Sequence, residues 1–122
     1  METWLEKVVS REGSIIDQLV YVFCKDEKLL ELNKKFLNHD TYTDILTFPY
    51  GTSAGIHADI YISIPRVKEN AKKYGVDEQE ELRRVMVHGV LHLLGYNDHS
   101  KEYKQAMLQL EEDKLKMFHV EQ

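Results

Sequence analysis

Residues 58–64 alternate strictly, with alanine at position 58 and isoleucine at positions 60, 62 and 64. The alternation separates one face from the other, placing Ile60, Ile62 and Ile64 opposite Asp59, Tyr61 and Ser63. A period of two is that of a β-strand with one face buried and one face polar. The fold must therefore contain a sheet, and other elements must cover its apolar face.

Two further strands and five helices surround this segment in the sequence. Residues 19–24 form a β-branched and aromatic run that predicts a buried strand, and residues 44–49 form a strand that Pro49 ends or confines to an edge. Apolar spacing and capping residues predict helices at 2–11, 27–37, 65–74, 77–94 and 100–118. Phe36 and Tyr103 are assigned to the buried faces of their helices. The order predicts a small α+β domain, with a mixed sheet covered by helices.

Composition limits the class of protein. The 122 residues suit one domain, spanning 1–122, and no apolar run approaches the length of a membrane span. The first residues do not resemble a signal peptide, and the one cysteine, Cys24, falls in an apolar run where we expect a buried, inert thiol. These features predict a cytoplasmic protein without membrane contact.

The formal net charge of −5 argues mildly against nucleic acid as a partner. An RNA site would have to be a local basic groove. The cations available for one, each also explained as an ordinary solvated side chain, are Lys34, Lys35, Arg66, Lys68, Lys72, Lys73, Arg83 and Arg84.

Two histidines four residues apart, His88 and His92, lie on the predicted helix 77–94. Side chains at this spacing share one face of a helix, and two imidazoles so placed can bind one zinc ion. On a helical wheel they project over Glu81 and Arg84. Gly95 then allows the chain to turn back, so that a third ligand beyond it can reach the same point. The spacing predicts a zinc site on the long helix and in the turn after it.

The spacing also invites comparison with zinc peptidases, whose pattern is H-E-x-x-H-x-x-G-x-x-H. The glutamate that acts as their general base is replaced by Gly89, which cannot move a proton. The third histidine of that pattern falls at Asp98, and His99 is one place late. The sequence therefore disfavours a peptidase.

Residues 88–96, HGVLHLLGY, resemble the signature H-G-x-L-H-L-x-G-Y-D-H of the YbeY family, which are zinc-dependent endoribonucleases and ribosomal-RNA maturation factors. Two other segments of the family have counterparts in residues 32–49, ending in TDILTFP, and in residues 58–63, ADIYIS. The resemblance implies one Zn²⁺ per chain, cleavage of RNA phosphodiester bonds by a metal-activated water, and a role in ribosomal-RNA maturation and ribosome quality control. Its partners would be ribosomal RNA and ribosome components, with no DNA expected.

The chain departs from the family pattern at two positions that bear on the site. Leu37 replaces an arginine, which removes a phosphate contact. Asn97 stands where the family has aspartate, and Asp98 then occupies the position of the family's third histidine, with His99 one residue beyond. Position in the motif favours Asp98 as the third ligand, whereas the preference of zinc for imidazole favours His99. Asp59 is the candidate general base, although capping or packing also explains it. Thr43 and Asp44 are candidates to line the site, and an Asx-type turn before the strand explains them equally well. A ribosome-binding factor with a structural zinc and a zinc hydrolase of another substrate, such as peptides, remain the alternatives.

Overall fold

Helices and strands follow one another in the order that the sequence predicts. A computed structural model describes residues 3–37, 43–51 and 54–120. The elements in chain order are α1 (Trp4–Arg11), β1 (Ile16–Cys24), α2 (Asp26–Leu37), β2 (Ile45–Pro49), β3 (Ile56–Ser63), α3 (Ile64–Tyr74), α4 (Glu78–Leu93) and α5 (Lys101–Val120). His39 and Asp40, which belong to the predicted loop and the second family segment, lie outside the described residues.

The three strands form one mixed sheet in the order β1-β3-β2. β3 is central, pairing in parallel with β1 and antiparallel with β2. The predicted α+β class with a mixed sheet is thereby confirmed, and Pro49 lies on an edge strand, where its missing N–H is tolerated. The predicted burial of β1 is wrong because β1 is the other edge strand, and Val20 and Phe23 on it are 38% and 50% exposed.

Helices cover both faces of the sheet. The isoleucine face of β3, with Ile60 and Ile62 fully buried, packs against apolar residues of α1, α3 and α4 in the larger core cluster. The opposite face, with Tyr61 and Phe48, packs against Leu29 and Leu32 of α2. The two clusters explain why the even-numbered positions of β3 are buried and the odd-numbered ones from His57 to Tyr61 are half-exposed.

α5 packs against α4 and α1 and closes the outer side of the helical layer. Its contact with α1 is anchored by Trp4, whose indole N–H donates to the carbonyl of Lys114 at 2.7 Å and whose ring meets that of Phe118 at 5.3 Å. Met107 and Leu115 of α5 are buried, as predicted. α4 is thus enclosed by the sheet, α3 and α5, with only part of its surface open to solvent.

Four side chains differ from the burial expected of them. Phe36 is 59% exposed and Tyr103 is 55% exposed, although the Phe36 ring meets that of Phe48 edge-on at 5.9 Å. Ser63, predicted on the polar face, is fully buried because its hydroxyl caps α3, accepting from the Arg66 N–H and donating to Asp26. Cys24 is half-buried rather than buried, although burial still raises the pKa of its thiol. Among the described helices, none is long and apolar enough to cross a membrane.

Candidate metal centre and adjoining cavity

α4 and the turn after it carry the predicted ligands. Asp77 caps the helix, its carboxylate accepting from the Gln79 N–H at 2.8 Å. The helix ends at Leu93, and Gly95 follows with φ 104°, a conformation that favours glycine. The N–H of Tyr96 returns to the carbonyl of Leu91 at 3.0 Å, which folds the chain back toward the helix. The turn therefore brings the residues after Gly95 beside the histidine face of α4.

His88, His92 and Asp98 form a cluster whose ligand atoms lie within 4.8 Å of one another. The Nε2 atoms of the two histidines are 2.9 Å apart. The Oδ2 atom of Asp98 lies 3.9 Å from Nε2 of His88 and 4.0 Å from Nε2 of His92. All three side chains are partly exposed, so that the cluster opens to solvent on one side.

The cluster fits a small divalent cation. A tetrahedral zinc ion about 2.0–2.1 Å from each ligand separates the ligand atoms by roughly 3.4 Å. The three observed separations fall on either side of this value, and small side-chain rotations would equalise them. Two imidazoles and one carboxylate are also an established ligand set for catalytic zinc, which keeps a further position open.

His99 is exposed and stands outside this cluster. Its backbone N–H donates to the side chain of Asn97 at 3.1 Å, forming a tight turn around Asp98. Because adjacent residues of such a turn diverge, the turn that presents Asp98 to the histidines leaves His99 facing solvent. The geometry therefore favours Asp98 over His99 as the third ligand.

Asp59 lies away from the histidines. It neighbours Ile60 on β3, and successive strand residues point to opposite faces. Ile60 faces α4, whereas the Asp59 carboxylate accepts a 2.6 Å hydrogen bond from the hydroxyl of Tyr50. The structure does not bring Asp59 to the cluster, and in the described part of the chain nothing supports a role for it as base there. His57, on the same face, packs against the Tyr50 ring at 4.9 Å.

Glu111 of α5 completes the surroundings of His88, and no motif in the sequence indicated it. Its Oε2 atom lies 2.5 Å from Nδ1 of His88, and its Oε1 atom accepts from Arg84 at 3.0 Å. Glu111 is only 4% exposed. The available signal was its spacing, since it lies four residues from both buried Met107 and buried Leu115 and so places a charge within the apolar stripe of α5.

The electrostatic environments of the two histidines differ. Burial lowers the pKa of His88, but the hydrogen bond and the charge of Glu111 outweigh it and the net pKa is raised. Burial also lowers the pKa of His92, and the neighbouring His88 lowers it further. A carboxylate on Nδ1 holds the proton on that nitrogen and leaves Nε2 of His88 directed toward His92 and Asp98.

A cavity of about 610 Å³ adjoins His88. Carboxyl groups dominate its polar lining, with Asp44, Glu81, Glu111 and Glu112 facing Arg84. Burial raises the pKa of both Asp44 and Glu81. Asp44, a candidate to line the site, lines this cavity together with His88, whereas the hydroxyl of Thr43 bonds locally to Ile45.

Several of the predicted RNA-binding cations are engaged by carboxylates. Arg66 pairs with Asp26 at 3.0 Å, and Arg84 pairs with both Glu111 and Glu112. Arg83 pairs with Glu80 at 3.5 Å and covers the Phe118 ring. The lysines of α3, namely Lys68, Lys72 and Lys73, are exposed on the helix that contributes Asn70 and Tyr74 to the cavity wall. Three exposed lysines therefore lie on α3, one of the helices that line the cavity.

Comparison with known proteins agrees with this geometry. The sequence model of a family described as endoribonuclease YbeY matches residues 1–119. A protein of Flavobacterium psychrophilum with the same description is 49% identical over 98% of this chain and 85% of its own length. One from Bacteroides thetaiotaomicron is 39% identical over 93% and 83%. A solution structure of a Thermotoga maritima protein is 28% identical and covers 97% of this chain and 78% of the other, with a TM-score of 0.69.

Proposed function

We propose a zinc-dependent ribonuclease function for this chain, which belongs to the YbeY endoribonuclease family. Membership confirms the resemblance inferred from the motifs, and with it the class of enzyme, a nuclease. The finer proposal is that the chain hydrolyses phosphodiester bonds of RNA with one zinc ion, during maturation of ribosomal RNA and in ribosome quality control. Its partners would then be ribosomal RNA and ribosome components in the cytoplasm.

The observation that carries the proposal is the cluster of His88, His92 and Asp98, of which His88 also lines the adjoining cavity. These three residues would hold the metal. Zinc bound by such a set supplies a Lewis acid and lowers the pKa of a bound water toward 7. The open side of the cluster leaves room for a phosphate group and water, as hydrolysis requires.

The side chains around the cluster would hold its ligands in place and accept a proton. Glu111 fixes the ring of His88, and Arg84 in turn holds Glu111, so that the ligand geometry is set before substrate binds. Asp44 lines the same cavity as His88 and is half-buried. We assign to Asp44, rather than to Asp59, the task of accepting a proton near the cluster, because only Asp44 lies on that side of the sheet.

Gly89 argues against the peptidase alternative on steric grounds as well. A Cβ atom at this position would lie 2.9 Å from Cδ1 of Ile45 and 3.1 Å from Cδ1 of Ile60. The position therefore faces the sheet, and a glutamate there could not reach a substrate at the cluster.

The test is cleavage of a structured fragment of small-subunit ribosomal RNA by the purified chain, with zinc added and after removal of metal by a chelator. We expect cleavage only with zinc, and its loss in His92→Ala together with the loss of about one bound ion per chain. His119→Ala serves as the matched control, since His119 is exposed and pairs with Glu80 far from the cluster.

Three results would speak against the proposal. Metal-loaded protein that binds this RNA without cutting it would favour a binding factor with a structural zinc. Cleavage of a peptide substrate would favour another hydrolase. Equal cleavage by His92→Ala and the unchanged chain would place the reaction elsewhere in the molecule.

A further inference from the structure

The cavity beside His88 has a lining that a metal site alone does not explain. Its volume of about 610 Å³ lies within the usual range of small-molecule sites, roughly 300–1,000 Å³. It extends from His88 on α4 to Tyr74 at the end of α3 and to Leu108 on α5. His88 is the member of the cluster that lines this cavity, so a phosphate at the cluster would lie beside the cavity rather than fill it.

The charge of the lining excludes an anion from the interior. Four carboxyl groups face one cation, Arg84, and this guanidinium is already committed to Glu111 and Glu112. A phosphate group in the cavity would meet like charges, whereas a ligand that donates N–H groups would find acceptors.

Glu81 presents its carboxyl group to the cavity. The residue is 95% buried, being 5% exposed, and it lines the cavity. In the described part of the chain, the carboxyl group interacts with the charge of Arg84 but receives no hydrogen bond. Its two carboxyl oxygens therefore remain available to a ligand in the cavity that supplies N–H donors.

Tyr74 supplies an aromatic wall. Its side chain is 62% exposed although it lines the cavity, and the ammonium group of Lys73 lies 5.6 Å from the centroid of its ring. Exposed tyrosine rings are the usual stacking surfaces for unpaired bases, and a lysine beside one can reach the phosphate of the stacked nucleotide.

We propose that this cavity binds an unpaired nucleobase next to the cleaved phosphate, stacked on Tyr74, with Glu81 accepting hydrogen bonds from its Watson–Crick edge. Guanine fits best, because its N1–H and N2 amino group are two adjacent donors that match the two oxygens of one carboxylate. The inference rests on the proposed function, in which RNA is the substrate. It adds a preference for guanosine at an unpaired position beside the cut.

The experiment uses pentaribonucleotides of uridine that carry guanosine, inosine, adenosine, cytidine or uridine at the centre. Their binding to the full chain is measured by fluorescence anisotropy without added metal, and their cleavage is then measured with zinc. We expect the guanosine oligomer to bind at least tenfold more tightly than the uridine oligomer. The inosine oligomer, which lacks the amino group, should bind about tenfold more weakly than the guanosine oligomer.

Glu81 and Tyr74 are tested separately, each by one variant and a matched control. Glu81→Gln keeps the size of the side chain but replaces one acceptor by a donor, and should abolish the preference for guanosine over uridine. Glu78→Gln is its matched control, since it removes the same charge from an exposed position of α4 and should keep the preference. Tyr74→Leu should weaken binding of all five oligomers roughly five- to a hundredfold, whereas Tyr74→Phe should retain it.

The outcomes separate this inference from the proposed function. Guanosine preference without cleavage in zinc would leave the cavity assignment standing and overturn the nuclease. Cleavage of all five oligomers at equal rates, or an unchanged preference in Glu81→Gln, would overturn the cavity assignment alone. Displacement of every oligomer by an arginine-rich peptide, with no discrimination among bases, would overturn it too and assign the cavity to a basic protein segment.

Discussion

Glu111 on α5 holds His88 on α4 through a 2.5 Å contact between Oε2 and Nδ1, across 23 positions of the sequence. The other oxygen of Glu111 is held by Arg84, one turn before His88 on α4. This arrangement fixes the plane of the imidazole and the nitrogen that carries its proton. Carboxylates in this position commonly raise the affinity of a histidine for its metal.

Replacing Glu111 by glutamine should lower the zinc affinity about 10- to 100-fold, because the amide no longer holds the Nδ1 proton with a full charge. Competition with a chromogenic chelator measures this change. Glu112→Gln is the control, since Glu112 also pairs with Arg84 but is exposed and does not touch His88. Equal losses in the two variants would mean that Arg84, not the contact with His88, matters for the metal.

The same contact predicts a pH dependence of stability in the metal-free protein. Glu111 raises the pKa of His88 above that of the unfolded chain, about 6.5. The ion pair therefore contributes its full stability below that pH, and the contribution is lost as the pH rises through the folded-state pKa. Glu111→Gln should thus destabilise the protein more at pH 6 than at pH 9, as measured by urea unfolding. A larger loss at pH 9 would contradict the assigned direction of the shift.

Local sequence periodicity accounted for most of the fold. The alternation in residues 58–63 predicted the central strand, and the signals at Asp77 and Gly95 predicted the limits of α4 to within a residue or two. Caps and turns depend on neighbouring residues only, which is why they can be read from one sequence. The spacing of His88 and His92 is local in the same sense.

Features that depend on which helix covers which surface could not be predicted from local sequence patterns. The alternation along the strand places Asp59 and Ile60 on opposite faces of the sheet. Only the tertiary packing determines that α4 lies on the face of Ile60. Glu111 reaches His88 because α5 crosses α4, a contact that no local pattern encodes. The exposure of Phe36 reflects the same limit, since it shares the helical spacing of buried Leu29 and Leu32, and tertiary packing alone decides which of the three is covered.

The choice between Asp98 and His99 can be tested directly. Asp98→Ala should lose bound zinc or weaken it at least tenfold, because Asp98 supplies the third ligand atom of the cluster. His99→Ala should leave the metal content unchanged. Elemental analysis of both purified variants gives the answer. Zinc retained in Asp98→Ala and lost in His99→Ala would assign the site to the imidazole and require the turn at Asn97 to rearrange.

Gly89 offers a test of how tightly α4 packs on the sheet. Alanine would bring a methyl group to 2.9 Å from Ile45 and 3.1 Å from Ile60, an overpacking that costs about 1–3 kcal/mol. The better helix propensity of alanine returns about 1 kcal/mol, so the net loss should be about 1 kcal/mol in urea unfolding. Gly51→Ala is the control, since a Cβ atom there meets nothing within 4 Å. Gly89→Glu, which restores the residue of zinc peptidases, should destabilise the fold by several kcal/mol, because it pushes a charge against the isoleucine face. A stable Gly89→Glu protein with peptidase activity would show that the helix can turn this position toward the metal.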